Sequence, residues 1–313
     1  MSVQAVLLAG DRGAARAVRG SSKAFLDVAG KPMVVHVAEA LLHTPEVSEV
    51  FVVGNAIRLE KVLEEYGCAQ LAAVRSRPLH VVPQRNSLYE NIWHTFLRTL
   101  PEGNTREDHA ILVVPADIPL VIPEELSSFI QQSLALDTDY ALGITPDTAL
   151  AHYRSRDGSP GIEMACFNVR EGRYRQNNLH VVRPLRMGNR HYIQDMYESR
   201  YQKQLGSMLR LGWRILRNEY RNLWVLLYYA LMHLAGLLDR RGFVRLADRL
   251  RQRIPLETVE RGIGALLRTR FTTVVTGLGG AAIDVDNDAD LEVVDKMLGR
   301  WQEMQVRLSR EGG

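Results

Sequence analysis

Short apolar runs alternate with amphipathic stretches along the first half of the chain. Val3–Ala9 is a nearly continuous apolar run followed at once by Gly10, which is typical of a buried strand. Further apolar runs predict strands at residues 49–54, 79–82, 110–114 and 140–144. Stretches with a helical period predict helices at residues 33–43, 57–66, 87–100 (with Ser87 as the N-cap) and 123–133. This alternation predicts an α/β fold, a three-layer α/β/α Rossmann-like arrangement around a mostly parallel sheet, with ligands at the carboxyl ends of the strands.

The second half of the chain is patterned differently. Its apolar runs predict strands at residues 162–168, 179–182, 271–275 and 281–285, followed by a closing helix at 290–310. Residues 194–270 are rich in Arg and Leu and predict several helices. We therefore expect a core in two parts, residues 1–190 and 271–313, interrupted by an α-helical insertion at residues 191–270.

The composition is that of an ordinary globular protein, with 46% hydrophobic and 24% charged residues among 313. The formal net charge of +3 is too small to indicate nucleic acid as a partner, but it suits an anionic small substrate or an anionic membrane surface. The two cysteines, Cys68 and Cys166, have no CxxC spacing, so we expect neither a disulfide framework nor a zinc site. The start of the chain lacks the features of a signal peptide, so we expect a cytoplasmic location.

A loop rich in Gly, Ala, Arg and Ser follows the first predicted strand. A strand that ends in Gly10 and enters such a loop can present backbone N–H groups to a triphosphate. Arg12, Arg16 and Arg19 would add charge-assisted contacts, and Lys23 is a compact cation suited to the α-phosphate during nucleotidyl transfer. The loop matches neither GxxxxGK[ST] nor GxGxxG. The alternative is a surface loop with solvated arginines.

Two segments remote from each other offer carboxylates for a metal ion. Asp117 follows a predicted strand in VVPADIPLV, and Asp284 and Asp286 share one side of the chain in AAIDVDNDADLEVV. Nucleotidyl transfer needs a divalent cation, and one or two carboxylates usually hold Mg²⁺. These acids therefore predict Mg²⁺ as the cofactor. The alternatives are a turn acid at Asp117 and capping of the last helix by Asp288 and Asp290.

The segments LLAG and SSKAFLDVAGKPMVVHVAEALL resemble the N-terminal signature of MobA-like NTP transferases, a group that includes molybdenum-cofactor guanylyltransferases and cytidylyltransferases. The resemblance implies a GT-A type fold in which the loop wraps the nucleotide and Lys23 meets its phosphates. PADIPLV is similar to the family's metal-aspartate motif, and IDVDNDADLEVV is similar to its closing acidic segment. It thus implies Asp117 and Asp286 as the metal pair, with Asp284 as the substitute for Asp286. Nucleotide contacts are implied for Leu8, Ala9, Gly10, Arg12, Gly13, Arg19, Lys23, Gln84 and Ser87.

Two further segments are candidates for recognition of the base and the acceptor. The resemblance implies that the loop QRNS (residues 84–87) reads the base. A Gln side chain donates and accepts hydrogen bonds at once, which suits a base edge, and the alternative is a capped helix start. EGRYRQNNLHVVRPLRM resembles the acceptor side of a bacterial branch of the family. Asn177, Asn178 and Arg183 are the candidate acceptor residues there, and a solvated basic loop is the alternative.

The most apolar stretch of the chain is NLWVLLYYALMHLAGLLDRRGF, in which only His233 is clearly polar between residues 223 and 238. It is shorter than the roughly 20 residues that a membrane span needs. A buried helix is the favoured interpretation. Because arginines flank the stretch, the alternatives are peripheral membrane contact through residues 217–245, with access to a lipid-linked acceptor, and a homodimer contact.

Taken with the resemblance, these features predict an Mg²⁺-dependent nucleotidyltransferase. It would join an NMP from CTP or GTP to a phosphorylated small-molecule or lipid-linked acceptor and release pyrophosphate. A GT-A type glycosyltransferase that uses a sugar nucleotide is one alternative, although such enzymes normally lack the loop before Lys23. A non-catalytic, membrane-docking member of the family is the other.

Overall fold

The computed structural model describes residues 2–10, 22–100, 109–156, 158–190 and 223–311. Its strands are β1 (Val3–Ala9), β2 (Asp27–Val28), β3 (Lys31–Pro32), β4 (Val47–Gly54), β5 (Leu79–Pro83), β6 (Ile111–Pro115), β7 (Tyr140–Pro146), β8 (Phe167–Val169), β9 (Gly172–Val182) and β10 (Phe271–Val275). Its α-helices are α1 (Met33–His43), α2 (Ala56–Glu65), α3 (Cys68–Val74), α4 (Leu88–Thr99), α5 (Pro123–Ala135), α6 (Asp147–Leu150), α7 (Leu223–Arg240), α8 (Val244–Arg251), α9 (Leu256–Leu267) and α10 (Asp288–Glu311).

An eight-stranded sheet organises the molecule, with strands in the order β10-β7-β9-β6-β1-β4-β5 and β8 paired to β9. β1 runs parallel to both β4 and β6, and β10 runs parallel to β7. β9 lies antiparallel between β6 and β7. Helices cover both faces, so the predicted three-layer α/β/α fold with a mostly parallel sheet is confirmed.

Alternating residues along the strands divide the core between the two faces of the sheet. On one face, Leu7, Val52 and Leu112 pack in a cluster with residues of α1 and α5. On the other face, Val6 and Val113 pack with Phe96 of α4. Helix α4 packs on β1 and β4, whereas α9 packs on β10 at the far side of the same face. Among the described residues, a cavity lies between these two helices and is lined by side chains of β6, β9 and β7.

Two predicted strands are wrong. The strand predicted at 162–168 begins only at Phe167 and ends at Val169, because the chain folds back before it and the Ile162 N–H donates to the Tyr153 carbonyl at 2.9 Å. The 281–285 run forms a 3-10 turn at Gly280–Ala282 and then an irregular segment. Its apolar side chains are nevertheless buried, since Ala282, Ile283 and Val285 pack in a cluster with α10. Both runs were predicted as strands because they are apolar, but an apolar run can be buried without pairing in a sheet.

Three of the described helices, α7, α8 and α9, stand between β9 and β10 in the chain. Helix α7 packs on α9 where Val225 faces Gly262. A Cβ added at Gly262 would lie 3.2 Å from the Val225 side chain, so glycine allows this close approach. Residues 191–222, the His233 side chain, and Arg217 and Arg221 lie outside what the structure describes. No helix in the described ranges combines the length and apolar character that a membrane crossing requires.

A carboxylate at the start of β7 joins the two parts of the core. Asp139 accepts hydrogen bonds from Nη2 of Arg270 at 2.7 Å and from Nε of Arg270 at 2.9 Å, directly before β10. Arg186 adds a contact at 3.2 Å. The Arg270 hydrogen bonds, helped by Arg186, lower the pKa of Asp139 to about 2 despite its burial.

We expect Asp139→Asn to lower the free energy of unfolding at pH 7 by about 1 kcal/mol, a modest value because Arg270 is half exposed and solvent weakens the pair. The pKa is depressed in the folded state. This contribution is therefore present above the ordinary Asp pKa and is lost as the pH falls from about 4 toward 2. Urea unfolding at pH 7 and pH 2.5 measures the difference. Asp137→Asn is the control. The Asp137 carboxylate also pairs with Arg270 but is 90% exposed, so its removal should change stability less.

Candidate active site

A cavity of about 380 Å³ opens at the carboxyl ends of the parallel strands. The ends of β1, β5 and β6 form its floor, as Gly10, Gln84 and Asp117 each follow one of these strands. The residues predicted from the sequence that line it are Leu8, Ala9, Gly10, Lys23, Gln84, Arg85, Asn86, Ser87, Asp117, Asn178 and Asp284. Arg12, Gly13, Arg16 and Arg19 lie outside the described residues. The topology thus brings most of the described candidates to one edge of the sheet.

Lys23 joins the two acidic segments. Its ammonium group lies 2.7 Å from Oδ1 of Asp286 and 3.3 Å from Oδ2 of Asp117. Lys23 is only 9% exposed because it opens a 3-10 turn whose next residues, Ala24 and Phe25, are anchored in the core. Burial acts to lower the pKa of Lys23, but the two carboxylates outweigh it and hold the pKa above its usual value. The side chain is therefore an ammonium at neutral pH, placed between two acids 263 and 94 residues away.

Backbone contacts fix the two acidic segments against each other. The Val285 N–H donates to the Asp117 carbonyl at 2.9 Å, so the segment that carries Asp284 and Asp286 lies directly beside the end of β6. The pKa of Asp117 is raised to about 6: burial is the main cause, Asp284 and Asp286 also act to raise it, and Lys23 acts to lower it. Negative charge is thus concentrated here in a largely desolvated place, which is the environment that attracts a cation.

Arg175 of β9 is a site residue that the sequence did not reveal. Its Nη2 donates to Oδ1 of Asp284 at 2.7 Å, and its Nε donates to the Ala282 carbonyl at 2.8 Å. Asp284 is therefore paired with a guanidinium, whereas Asp117 and Asp286 share Lys23. In sequence terms Arg175 is one of several arginines in a basic segment. Only the insertion of β9 between β6 and β7 brings it to an acid 109 positions away.

The carboxylates fit a magnesium ion in their chemistry. Within the described ranges no group of three or more His, Cys, Asp or Glu side chains is arranged to hold a metal. Two carboxylates with phosphate and water oxygens suffice for Mg²⁺, and Asp117 and Asp286 converge on a single cation, the Lys23 ammonium. This pair, rather than all three predicted acids, matches such a site.

The predicted base-reading loop is a capped helix start and also lines the cavity. Ser87 is the N-cap of α4, as predicted, and accepts from the Glu90 N–H at 3.1 Å. A second residue that sequence reasoning missed, Asn91, accepts from the Arg85 N–H at 2.5 Å and so holds the loop. The Gln84 side chain lies close to Gly10 at the end of β1. A Cβ added at Gly10 would be only 3.2 Å from Oε1 of Gln84. Its amide is thus carried on a braced loop at the cavity wall.

Two of the three predicted acceptor residues are corrected by the structure. Asn177 is fully buried, donates to Oγ1 of Thr276 at 3.0 Å and accepts from the Leu179 N–H at 3.1 Å. Gly143 makes room for it, because an added Cβ would lie 2.0 Å from its Oδ1. Arg183 follows the end of β9 at the opposite edge of the sheet, where its guanidinium donates to the Thr138 carbonyl. Both are structural, and Asn178 alone of the three lines the cavity.

The comparison with known families agrees with this geometry. The sequence profile of the MobA-like NTP transferase domain matches residues 5–219. The chain belongs to the MobA-like NTP transferase family. The profile ends before β10, so in this MobA-like protein the placement of Asp284 and Asp286 rests on the structure and not on the family match.

The fold resembles that of a solved transferase structure. A hypothetical transferase from Thermus thermophilus is 21% identical, with a TM-score of 0.56 over 93% of this chain and 100% of the other. A CMP:2-keto-3-deoxy-manno-octonic acid synthetase complexed with CTP is 15% identical, with a TM-score of 0.48 over 96% and 99% of the two chains. No curated protein matches this MobA-like chain.

Proposed function

We propose that this MobA-like protein is an Mg²⁺-dependent nucleotidyltransferase that joins an NMP from CTP or GTP to a phosphorylated acceptor and releases pyrophosphate. The acceptor is a small molecule or a lipid-linked phosphate. The observation that supports this most strongly is the convergence of Lys23, Asp117 and Asp286 at the carboxyl ends of the strands. The family is one of NTP transferases. Lys23, which ends the proposed nucleotide loop, is the residue that contacts both acids.

Asp117 and Asp286 would hold Mg²⁺, which neutralises charge on the triphosphate and on the departing pyrophosphate. Lys23 exchanges its carboxylate partners for phosphate oxygens and stabilises the charge that develops around the α-phosphorus. Arg175 keeps Asp284 in place beside this pair.

An oxygen of the acceptor phosphate attacks the α-phosphorus, a new P–O–P linkage forms, and the bond from that phosphorus to the β-bridging oxygen breaks. The acceptor phosphate is already anionic at neutral pH, so no general base is needed. Positioning and charge neutralisation then carry most of the rate.

The loop at Gln84 is proposed to read the base. Its amide donates and accepts hydrogen bonds at once, as a base edge requires. Asn91 and the Ser87 cap hold the loop, so the amide is presented from a fixed backbone.

A contact with an anionic membrane surface is part of the proposal, and a contact with a second copy of the chain is its alternative. Phe243, Val244 and Leu246, which are about half exposed or more, lie together at the start of α8. Arg241 and Arg245 are exposed beside them. Exposed apolar side chains among basic ones are typical of a surface that rests on anionic lipid.

Pyrophosphate release by the full chain tests the proposal. CTP, GTP, ATP and UTP are each supplied with sugar, polyol, inositol and alkyl phosphates, with and without Mg²⁺. We expect release that requires Mg²⁺, an acceptor phosphate and CTP or GTP, and that is lost in Lys23→Ala. Transfer from a sugar nucleotide without pyrophosphate release would instead identify a glycosyltransferase.

A further inference from the structure

The cavity at the acidic residues continues as a groove across one face of the sheet. This groove lies between α4 and α9, over β6, β9 and β7, on the face that carries Val113. Phe96 of α4 packs with Val113 of β6, and Tyr140 of β7 packs against the cluster that contains Leu267 of α9, so the groove lies between these two contacts. The groove is continuous with the end of the cavity that holds Lys23, Asp117 and Asp284.

The side chains of β9 that line the groove change from polar to apolar along its length. Because side chains alternate across a strand, residues 176, 178, 180 and 182 share the face that lines it. Gln176 and Asn178 lie at the acidic end, where the Asn178 amide donates to the Ala281 carbonyl at 3.1 Å. Val182 lies at the other end, opposite Ile111 at the start of β6.

The polar groups in the middle of the groove pair with each other. The Tyr140 hydroxyl and Nδ1 of His180 lie 2.9 Å apart. At the far end, the Arg190 guanidinium lies 4.3 Å from the centre of the Trp93 ring, so its charge rests on an aromatic face. Most of the remaining wall is hydrocarbon or aromatic: Trp93, Leu142, Val182, Met187, Ile263 and Leu267.

We propose that this groove binds the hydrocarbon chain of the acceptor, which is therefore a phosphate monoester of a long-chain alcohol. The inference rests on the proposed function and specifies its acceptor. The phosphate would lie beside Lys23, where its oxygen attacks the α-phosphorus of the NTP and pyrophosphate leaves. The chain extends along β9 from Asn178 to Val182, a distance of about 13 Å at the rise of a β-strand. A sugar phosphate would fill the polar end and leave the apolar length of the groove in contact with water, which is why a hydrocarbon is the better occupant.

Binding of n-butyl, n-octyl and n-dodecyl phosphate to the full chain, measured by calorimetry below their micellar concentrations, tests this without turnover. We expect one molecule per chain and affinity that rises roughly fourfold for each added methylene, levelling off once the chain exceeds the length of the groove. Affinity that does not depend on chain length would overturn the proposal.

Ile263→Trp fills the groove from α9 and should weaken n-octyl phosphate binding by about tenfold or more. Arg261→Trp, on the exposed side of the same helix, is the matched control and should leave it unchanged. If the length dependence survives in Ile263→Trp, the chains bind elsewhere and the proposal is wrong. Thermal unfolding of both variants confirms that they are folded, and the series on the wild-type chain does not depend on either.

The two proposals fail in different ways. Length-dependent binding without pyrophosphate release from any NTP would retain the groove and reject the nucleotidyltransferase. Pyrophosphate release with sugar phosphates and no length dependence would retain the enzyme and reject the groove.

Discussion

Asp117→Asn is expected to lower kcat/KM for pyrophosphate release by about a thousandfold. The substitution keeps the size of the side chain and leaves intact the bond from the Val285 N–H to the backbone carbonyl of residue 117. It removes one of the two anions that converge on Lys23, so the charge available to a divalent cation is halved. Steady-state pyrophosphate release over a range of Mg²⁺ concentrations measures the loss, and excess Mg²⁺ should restore little of it.

Stability separates this role from a structural one. The Asp117 carboxylate is held in a largely desolvated place beside Asp284 and Asp286, so its removal relieves repulsion. The midpoint of urea unfolding should therefore not fall in Asp117→Asn, although activity does. Asp137→Asn makes the same chemical change on an exposed side chain and should alter neither quantity greatly. Activity within about tenfold of the wild type in Asp117→Asn would reject Asp117 as a metal ligand.

The parallel part of the fold could be predicted because its strands are buried on both faces and read as continuous apolar runs. β1 and β6 are of this kind, and their ends carry Gly10 and Asp117 to the same edge. The runs at 162–168 and 281–285 are also mostly apolar, but most of their residues are buried outside the sheet. The buried Glu125 side chain accepts from the backbone N–H of Ala281, at the start of the second run, and from that of Gly279 just before it.

The site was predictable only where a motif marks it. Lys23, Asp117 and Asp286 belong to recognisable segments and do converge. Arg175 was assigned no role, and Asn177 was assigned to the acceptor although it is buried. Both positions depend on where β9 lies in the sheet and on which side of it each residue faces. Successive residues of that strand face opposite sides of the sheet, so Asn177 enters the core while Asn178 lines the cavity. Nothing in the sequence says which of two adjacent asparagines will do so.

Glu125 is expected to be the residue through which the acidic segment is positioned. Its carboxylate is 1% exposed and accepts from the N–H groups of Gly279 at 3.1 Å and Ala281 at 2.9 Å. Burial raises the pKa of Glu125, while these backbone hydrogen bonds act to lower it. The loop that it holds leads directly into Asp284 and Asp286, so its shape sets where those carboxylates lie.

Glu125→Ala should lower the free energy of unfolding by about 3–5 kcal/mol, because it leaves two buried N–H groups without their acceptor and opens a cavity. Glu125→Gln retains one acceptor oxygen and should cost about half as much. Glu124→Ala, at the exposed neighbouring position on α5, should stay within about 0.5 kcal/mol of the wild type. Urea unfolding measures all three. The folded fraction of Glu125→Gln should also bind CTP or GTP with Mg²⁺ more weakly, whereas that of Glu124→Ala should not. Equal stability of Glu125→Ala and Glu124→Ala would mean that the loop keeps its shape without the carboxylate, and the convergence at Lys23 would then depend on the Val285–Asp117 contact alone.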